Sequence, residues 1–487
     1  MHANTTLLSL FSLALVAATF STPSAGQATT EPKQPNVVLI VSDDQGFGDL
    51  GCYGSSVIRT PHLDRLARDG VRLTNFYVTS PACTPSRGSL LTGRYPQRNG
   101  TVELFRNKAV DLGYLYDETE YATSAERVLG MDEREVLLPT ILGKAGYTSG
   151  IFGKWDLGQL KRFLPLQRGF DDFYGFVNTG IDYYTHERYG IASMYRDNSP
   201  TVEDKGTYAT DLFRREAVRF LKANRARPFF LYAPFNAPHS ASSLDPRIRG
   251  SAQAPDVCKK LYPDLKTRYV TREIEGEMVE VPDAQTRRLE YLAATTCMDD
   301  AIGELLTILD ESGLATNTLI IFLSDNGGAS AADNGPLRGG KGNVFDGGVR
   351  VPCIVRWPGR VPAGSVCDEF LSALEIVPTI AAAARVALPA GVTMDGFDML
   401  DVLAGKATTA RDEMFWEFRK EQAARVGNWK WVSSAKGSGL FDLSADIGEK
   451  NDLSASRPEV LARVKARFAA WQEAMRQAEP RGPFRDY

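Results

Sequence analysis

Residues 36–44 read NVVLIVSDD, an unbroken run of valine, leucine and isoleucine that ends on two aspartates. A strand with one face in water alternates apolar and polar residues. A continuous apolar run bounded by turn residues instead reads as a strand buried on both faces, as in an α/β sheet. Three later segments share this design. YTSGIFGKWD (147–156) ends in Lys154 and Asp156, PFFLYAPFNAPH (228–239) in His239, and NTLIIFLSDNGG (317–328) in Asp325 and Asn326. In such sheets ligands bind beyond the carboxyl ends of the strands. Those ends are where the charged side chains of this chain collect.

Helices are expected between the strands. TPHLDRLARDG (60–70) offers Thr60 as N-cap, Pro61 in the first turn, an apolar face of Leu63, Leu66 and Ala67, and Gly70 as a stop. His62 on this helix is expected at the surface. Residues 287–313 place Leu289, Leu292, Ala293, Ile302, Leu305 and Leu309 near helical spacing. Between them, 240–286 is a polar, irregular insertion of the kind that shapes a pocket or forms a passive flap. RYVTREIEGEMVEV (268–281) alternates about Gly276 and suggests a hairpin. From about Asp401 the chain changes character. MFWEFRK, ARVGNWKWV and LFDL read as short strands, followed by a helix from Pro458 to about Gln477. The expected organisation is a signal segment at 1–28, a catalytic domain over 33–400 and a small α+β subdomain over 401–487.

The first residues carry an apolar run from Leu7 to Phe20 before small residues. The run is shorter than the ~20 residues of a membrane span, so it reads as a secretory signal. The expected location is periplasmic or extracellular, with no membrane attachment after cleavage. A formal net charge of −4 and the lack of any Lys/Arg run argue against a nucleic-acid partner. Six cysteines (Cys52, Cys83, Cys258, Cys297, Cys353 and Cys367) show no metal-type spacing. They leave room for one or two disulfides that the sequence does not assign.

Asp43, Asp44, Asp325 and Asn326 are all oxygen donors. Adjacent carboxylates at a strand end repel unless a cation lies between them, and such hard donors favour calcium or magnesium over zinc. Cys83 precedes Thr84, Pro85 and Ser86. Proline suits a first helical turn, so Cys83 falls at a helix N-terminus, where backbone N–H groups favour anions and lower a thiol pKa. The residues alone describe a nucleophile beside a divalent cation, aimed at an anionic ester. A soft sulfur matches such a cation poorly, and an oxygen at this position fits better.

CTPSRGSLLTGR (83–94) resembles the sulfatase signature C-x-P-S-R-x-x-L-x-T-G-R. Similar blocks recur in family order at 36–54, 60–77, 153–158, 229–239, 324–328, 335–359 and 440–453. The resemblance implies an alkaline-phosphatase-like α/β fold, a large sheet sandwiched by helices with a smaller C-terminal antiparallel sheet. It implies that a formylglycine-generating maturation enzyme oxidises Cys83 to Cα-formylglycine. One hydroxyl of the hydrated aldehyde then attacks the sulfur of a sulfate ester, and the second expels sulfate. By position, Asp43, Asp44, Asp325, Asn326 and modified Cys83 would hold one calcium ion. Arg87 would stabilise the diol, Lys154 and Lys341 would clamp sulfate oxygens, and His239 would serve the leaving group. The implied substrate is a sulfated carbohydrate.

One block departs from the family pattern. The family reads GKWHLG where this chain has GKWDLG, with Asp156 at the histidine position. Asp156 is the base, or another group substitutes, or activity is lost. His186 in GIDYYTHERYG (180–190) is the substitute considered, in a loop whose Tyr183, Tyr184 and Arg188 suit sugar stacking and a second anion. Three rival readings stand beside the sulfatase: a phosphate or phosphonate ester hydrolase of the same fold, a non-catalytic binder of sulfated glycans, and a thiolate hydrolase using Cys83 and His239.

Overall fold

A computed structural model describes residues 1–2, 33–106, 114–274 and 276–484. All but the first two residues of the expected signal segment lie outside these. Residues 34–487 form one compact unit. Its centre is a ten-stranded sheet of β1 (Asn36–Ser42), β2 (Val71–Leu73), β3 (Thr148–Lys154), β4 (Asp172–Phe176), β5 (Met194–Arg196), β6 (Ser199–Pro200), β7 (Phe229–Pro234), β8 (Thr318–Ser324), β9 (Cys353–Arg356) and β10 (Ser365–Cys367). The spatial order is β10-β2-β9-β8-β1-β7-β3-β4-β5-β6. The four apolar runs are the four central strands β8, β1, β7 and β3, paired in parallel. β4 extends this parallel block beyond β3, and antiparallel β9 and β5 flank it.

The side-chain period of two sorts each central strand between two cores. Val38 and Ile40 of β1, Ile320 and Phe322 of β8, and Leu231 of β7 enter one cluster. Val37, Leu39, Val41, Leu319, Ile321 and Phe230 enter the other. Each fully buried side chain contributes about 1.5–3 kcal/mol, so these strands are fixed from both sides. The first face is covered by α1 (Pro61–Arg68), α3 (Ala209–Ala223) and α4 (Ala284–Glu311); the second carries α2 (Cys83–Thr92) and α5 (Ile376–Ala384). The expected apolar face of α4 is buried.

Thr60 does not cap α1 with its side chain. Its hydroxyl is taken by Gly51 N and Asp64. Asp299 of α4 caps instead, accepting from His62 N at 2.9 Å and Leu63 N at 2.8 Å. A carboxylate from a packed neighbour thus does the work of a local cap. His62 is half-buried rather than on the open surface, lying against Gly303 of α4.

The insertion carries the expected hairpin, Tyr269–Ile274 against Glu277–Pro282. A disulfide joins Cys258 to Cys297 of α4; Cys52, Cys83, Cys353 and Cys367 are free. Towards the C-terminus β11 (Glu413–Phe418), β12 (Glu421–Val426), β13 (Trp429–Ser434) and β14 (Gly437–Asp442) form an antiparallel sheet, with α6 (Pro458–Gln477) after it. Met414, Trp416, Val432, Phe468 and Trp471 share a core with Tyr77, Val344 and Phe345. Beneath it Lys430 Nζ lies 2.6 Å from Asp346 Oδ1 and 2.9 Å from Glu449 Oε1, with all three side chains fully buried. Glu449 also accepts from Asp346 N at 2.7 Å. This ionic knot anchors the 338–349 segment, which carries Lys341, to the small sheet.

Candidate active site

α2 begins at Cys83, after an extended Ala82. Pro85 is tolerated because first-turn N–H groups have no helical partner. The thiol donates to Asp43 Oδ1 at 3.5 Å, which places the helix N-terminus against the end of β1. Asp43 Oδ2 is 2.7 Å from Lys154 Nζ at the end of β3 and 3.8 Å from Arg87 Nη2. Arg87 also holds Asp325 Oδ2 through Nε at 2.9 Å and Nη2 at 2.8 Å. Asp325 Oδ1 accepts from Asp44 N at 3.2 Å. Asp44 in turn accepts from Asn326 Nδ2 and from Lys341 Nζ, each at 2.8 Å. Its Oδ2 lies 3.6 Å from His239 Nε2. The positions expected from four strand ends and one helix N-terminus therefore converge on one centre.

Asp156 joins it. The carboxylate is buried, its Oδ2 lies 3.6 Å from Lys154 Nζ without a hydrogen bond, and it neighbours the Thr84 hydroxyl beside Cys83. Asp44 and Asp156 both adopt left-handed backbone, with φ of 65° and 60°. Such conformations cost of order 1–3 kcal/mol and persist where surrounding structure enforces them.

Burial sets the electrostatics. It drives the Cys83 thiol pKa well up, with Lys154 and Lys341 only partly opposing. The lowering expected from the helix N-terminus is therefore outweighed, which weakens the thiolate reading. Burial also raises the Asp325 and Asp156 carboxyls. It would raise Asp44 too, but Lys341 and His239 hold that group well below the usual carboxylate range. Burial would lower both lysine ammoniums. The carboxylates reverse this, Asp43 acting foremost on Lys154 and Asp44 on Lys341. His239 is pushed down to about 3 by burial and then by Lys341. Its Nδ1 lies 2.6 Å from the Ser240 carbonyl, which fixes the proton on Nδ1 and leaves Nε2 facing the centre.

The donor set fits a hard divalent cation. Ligand atoms of Asp43, Asp44, Cys83 and His239 lie within 4.8 Å of one another. Asn326 Oδ1 is buried with no hydrogen bond, as an amide oxygen kept for a metal would be. The oxygen donors outnumber the single soft sulfur.

The 180–190 loop departs from its expected role. His186 does not face the centre: its Nε2 lies 2.8 Å from the Thr207 carbonyl, and its charged neighbours are Asp204, Asp182 and Lys205. Tyr183 is fully buried and stacks on Tyr208 rather than on open space. Its hydroxyl donates to the carbonyls of His239 at 2.8 Å and Asn236 at 3.2 Å, so it braces the His239 turn. The aromatic loop was visible in the sequence; that its rings point inward was not. Arg188 is buried against Glu126 and Ser242.

The sulfatase family profile matches residues 35–386, more than half of the chain. This chain belongs to the sulfatase family. A second profile, N-sulphoglucosamine sulphohydrolase C-terminal, matches 340–472 and so takes in the small sheet. Among curated sulfatases, human N-acetylgalactosamine-6-sulfatase is 31% identical, covering 93% of this chain and 88% of its own. Human arylsulfatase A is 33% identical, covering 90% and 82%. Among solved structures, Ps i-CgsB in complex with k-i-k-neocarrahexaose superposes with a TM-score of 0.75 at 29% identity, covering 90% of this chain and 93% of that one. The α/β fold with its small antiparallel C-terminal sheet is thus a sulfatase architecture.

Proposed function

We propose that the chain is an exported, calcium-dependent sulfatase that cleaves sulfate esters of carbohydrates, with Cys83 matured to Cα-formylglycine. The observation that carries this is the placement of Cys83. It opens α2 beside Asp43, within a centre of four carboxylates, three cations and one unpartnered amide oxygen. When present, the hydrated formylglycine supplies an oxygen nucleophile and the calcium ion a Lewis acid that activates it. Asp43, Asp44, Asp325 and Asn326 would hold the ion. Arg87, Lys154 and Lys341 offset three of the four carboxylates, so a divalent cation leaves the centre positive, as an anionic ester requires.

Within that centre Lys154 and Lys341 bind sulfate oxygens, and Arg87 orients the residue at 83. His239, with Nε2 facing the centre, stands on the side of the departing alcohol. Asp156 stands where the family has histidine. Its buried Oδ2, as carboxylate, is the acceptor for the proton released at position 83, and Lys154 at 3.6 Å offsets its repulsion against sulfate. Carbohydrate substrates are supported by the name of the human N-acetylgalactosamine-6-sulfatase and by the hexaose-bound neighbour. Export is supported by the Leu7–Phe20 run and by the Cys258–Cys297 disulfide, a bond of oxidising compartments. No helix among the described residues is long and apolar enough to cross a membrane.

The test is a mass spectrum of the tryptic peptide Leu73–Arg87, from protein made with a formylglycine-generating system, alongside release assays on aryl sulfate and aryl phosphate. An aldehyde or its hydrate at Cys83, with sulfate release lost in Cys83→Ala, is expected. An intact thiol, with the system active on a control, overturns the mechanism; faster phosphate release assigns the chain to phosphoester hydrolysis.

A further inference from the structure

Lys341 lies in an irregular stretch between β8 and β9, so something other than a strand must aim its ammonium at Asp44. Two turns meet there. Lys341 N donates to the Gly328 carbonyl at 3.1 Å, which joins the lysine turn to the turn that carries Asp325 and Asn326. Gly342 N donates to the Pro81 carbonyl at 2.7 Å, in the segment that leads into Cys83. A side-chain carbon at Gly340 would come 2.6 Å from the Gly328 carbonyl oxygen, so the two turns approach as closely as glycine permits. Asn334 spans this contact. Its Oδ1 accepts from Gly328 N at 3.0 Å, and its Nδ2 donates to the carbonyls of Gly328 at 3.3 Å and Gly339 at 3.1 Å. One amide thus spends its acceptor and both its donors on the two turns. The neighbouring backbone is held from the other side. Asp333 N donates to Asp49 Oδ2 at 2.6 Å, the Asp333 carbonyl accepts from Gly48 N at 2.9 Å, and Arg288 of α4 lies 2.8 Å from Asp49.

We propose that Asn334 is a positioning residue, an amide clamp that locks the two turns together and thereby sets Lys341 against Asp44. Its value to the reaction rests on the sulfatase reading above, in which Lys341 binds a sulfate oxygen. The Asn334 side chain bonds to glycine backbone, so it acts through Lys341 rather than on substrate. Lysine carries its charge on a flexible stem, and the ammonium is only as well placed as the turn beneath it. A misplacement of about 1 Å can cost about 100-fold in rate. Aspartate at this position would keep an acceptor for Gly328 N but would set an anion against two carbonyl oxygens in place of the donor. The clamp therefore requires the amide.

The experiment reads position and rate separately. Wild type, Asn334→Ala and Asn334→Asp are treated briefly with an amine-acylating reagent, and the extent of reaction at each lysine is followed by mass spectrometry of the peptides. The Lys341 side chain is 25% exposed, so the reagent reaches it while Asp44 holds it. Lys205, 50% exposed, reports the reagent's own rate, and fully buried Lys430 reports general opening of the fold. Both variants are expected to raise acylation of Lys341 about tenfold relative to Lys205, the loss of one charged hydrogen bond, with Lys430 still protected. Unchanged acylation of Lys341 in either variant, or a rise shared with Lys430, overturns the clamp. In matured enzyme, Asn334→Ala is expected to lower kcat/KM on aryl sulfate about tenfold or more, and to lower it no further when Lys341→Ala is already present. The same loss in the Lys341→Ala background, or no loss in Asn334→Ala alone, overturns the positioning role. Freed Lys341 in both variants, with no sulfate release by the matured wild type, keeps the clamp and removes the catalytic reading.

Discussion

Gly153 lies one residue before Lys154, at the end of β3, with φ of 135°. A methyl group there would sit 2.0 Å from the Pro234 carbonyl oxygen of neighbouring β7. The obstacle is backbone in the middle of the sheet, so no side chain can swing aside. Gly153→Ala therefore combines two costs. Holding a side chain in a sparsely populated φ region costs about 1–3 kcal/mol. Overpacking between strands costs about 1–3 kcal/mol more. A contact this short puts the overpacking cost at its upper end, which gives a loss of about 4–6 kcal/mol, against a total of roughly 5–15 kcal/mol for a folded domain. Relief by separating β3 from β7 moves Lys154 away from Asp43, so activity should fall beyond the loss of folded protein. The assay is urea unfolding with parallel kinetics on aryl sulfate. Gly143→Ala, where nothing lies within 4 Å of the added methyl, is the control and should gain about 0.5–1 kcal/mol. A Gly153→Ala variant within 1 kcal/mol of wild type, with unchanged kinetics, would refute this reasoning.

Replacing Asp156 by Asn should lower kcat by about 100-fold or more, while Asp156→His should recover much of that; an unchanged kcat in the Asn variant would remove Asp156 from the chemistry. Lys430→Met leaves Asp346 and Glu449 buried without their shared cation and should cost about 3–5 kcal/mol, partly restored by adding Glu449→Gln, as denaturant midpoints would report. Opening the Cys258–Cys297 loop, 39 residues in separation, by a Cys258→Ala/Cys297→Ala pair should cost about 4 kcal/mol; full stability in that pair would show the bond to be dispensable. Chelation with EGTA should abolish sulfate release and lower the melting temperature, with calcium restoring both; an enzyme indifferent to EGTA has no such ion.

The central sheet was legible because its strands are buried on both faces, so unbroken apolar runs marked both their position and their shared ends. The charged residues after those runs, and the proline pattern of 83–94, made the candidate site legible too. Other features left weaker traces. The period of Leu212, Phe213, Ala217, Phe220 and Leu221 is plain in α3, but no chemistry drew attention to it. Asp299 as a cap for α1, and the Lys430–Asp346–Glu449 knot, join residues far apart in sequence, and local pattern carries no signal of either. The 180–190 loop misled because aromatic content does not reveal direction. Tyr183 and His186 are satisfied by the backbone around Asn236, His239 and Thr207, and so serve the frame of the site rather than its opening.

Cys83 is only 2% exposed, and every residue of α2 around it is buried. An enzyme that must grip residues 83–87 to oxidise the thiol finds nothing to grip once the sheet has closed over them. If Cys83 is matured as proposed, oxidation has to act on the nascent or still unfolded chain, with folding sealing the result. Protein that folded first would then keep the thiol. Adding the maturation enzyme to such a purified sample should change nothing until the chain is unfolded, so the window for making an active molecule closes with its folding.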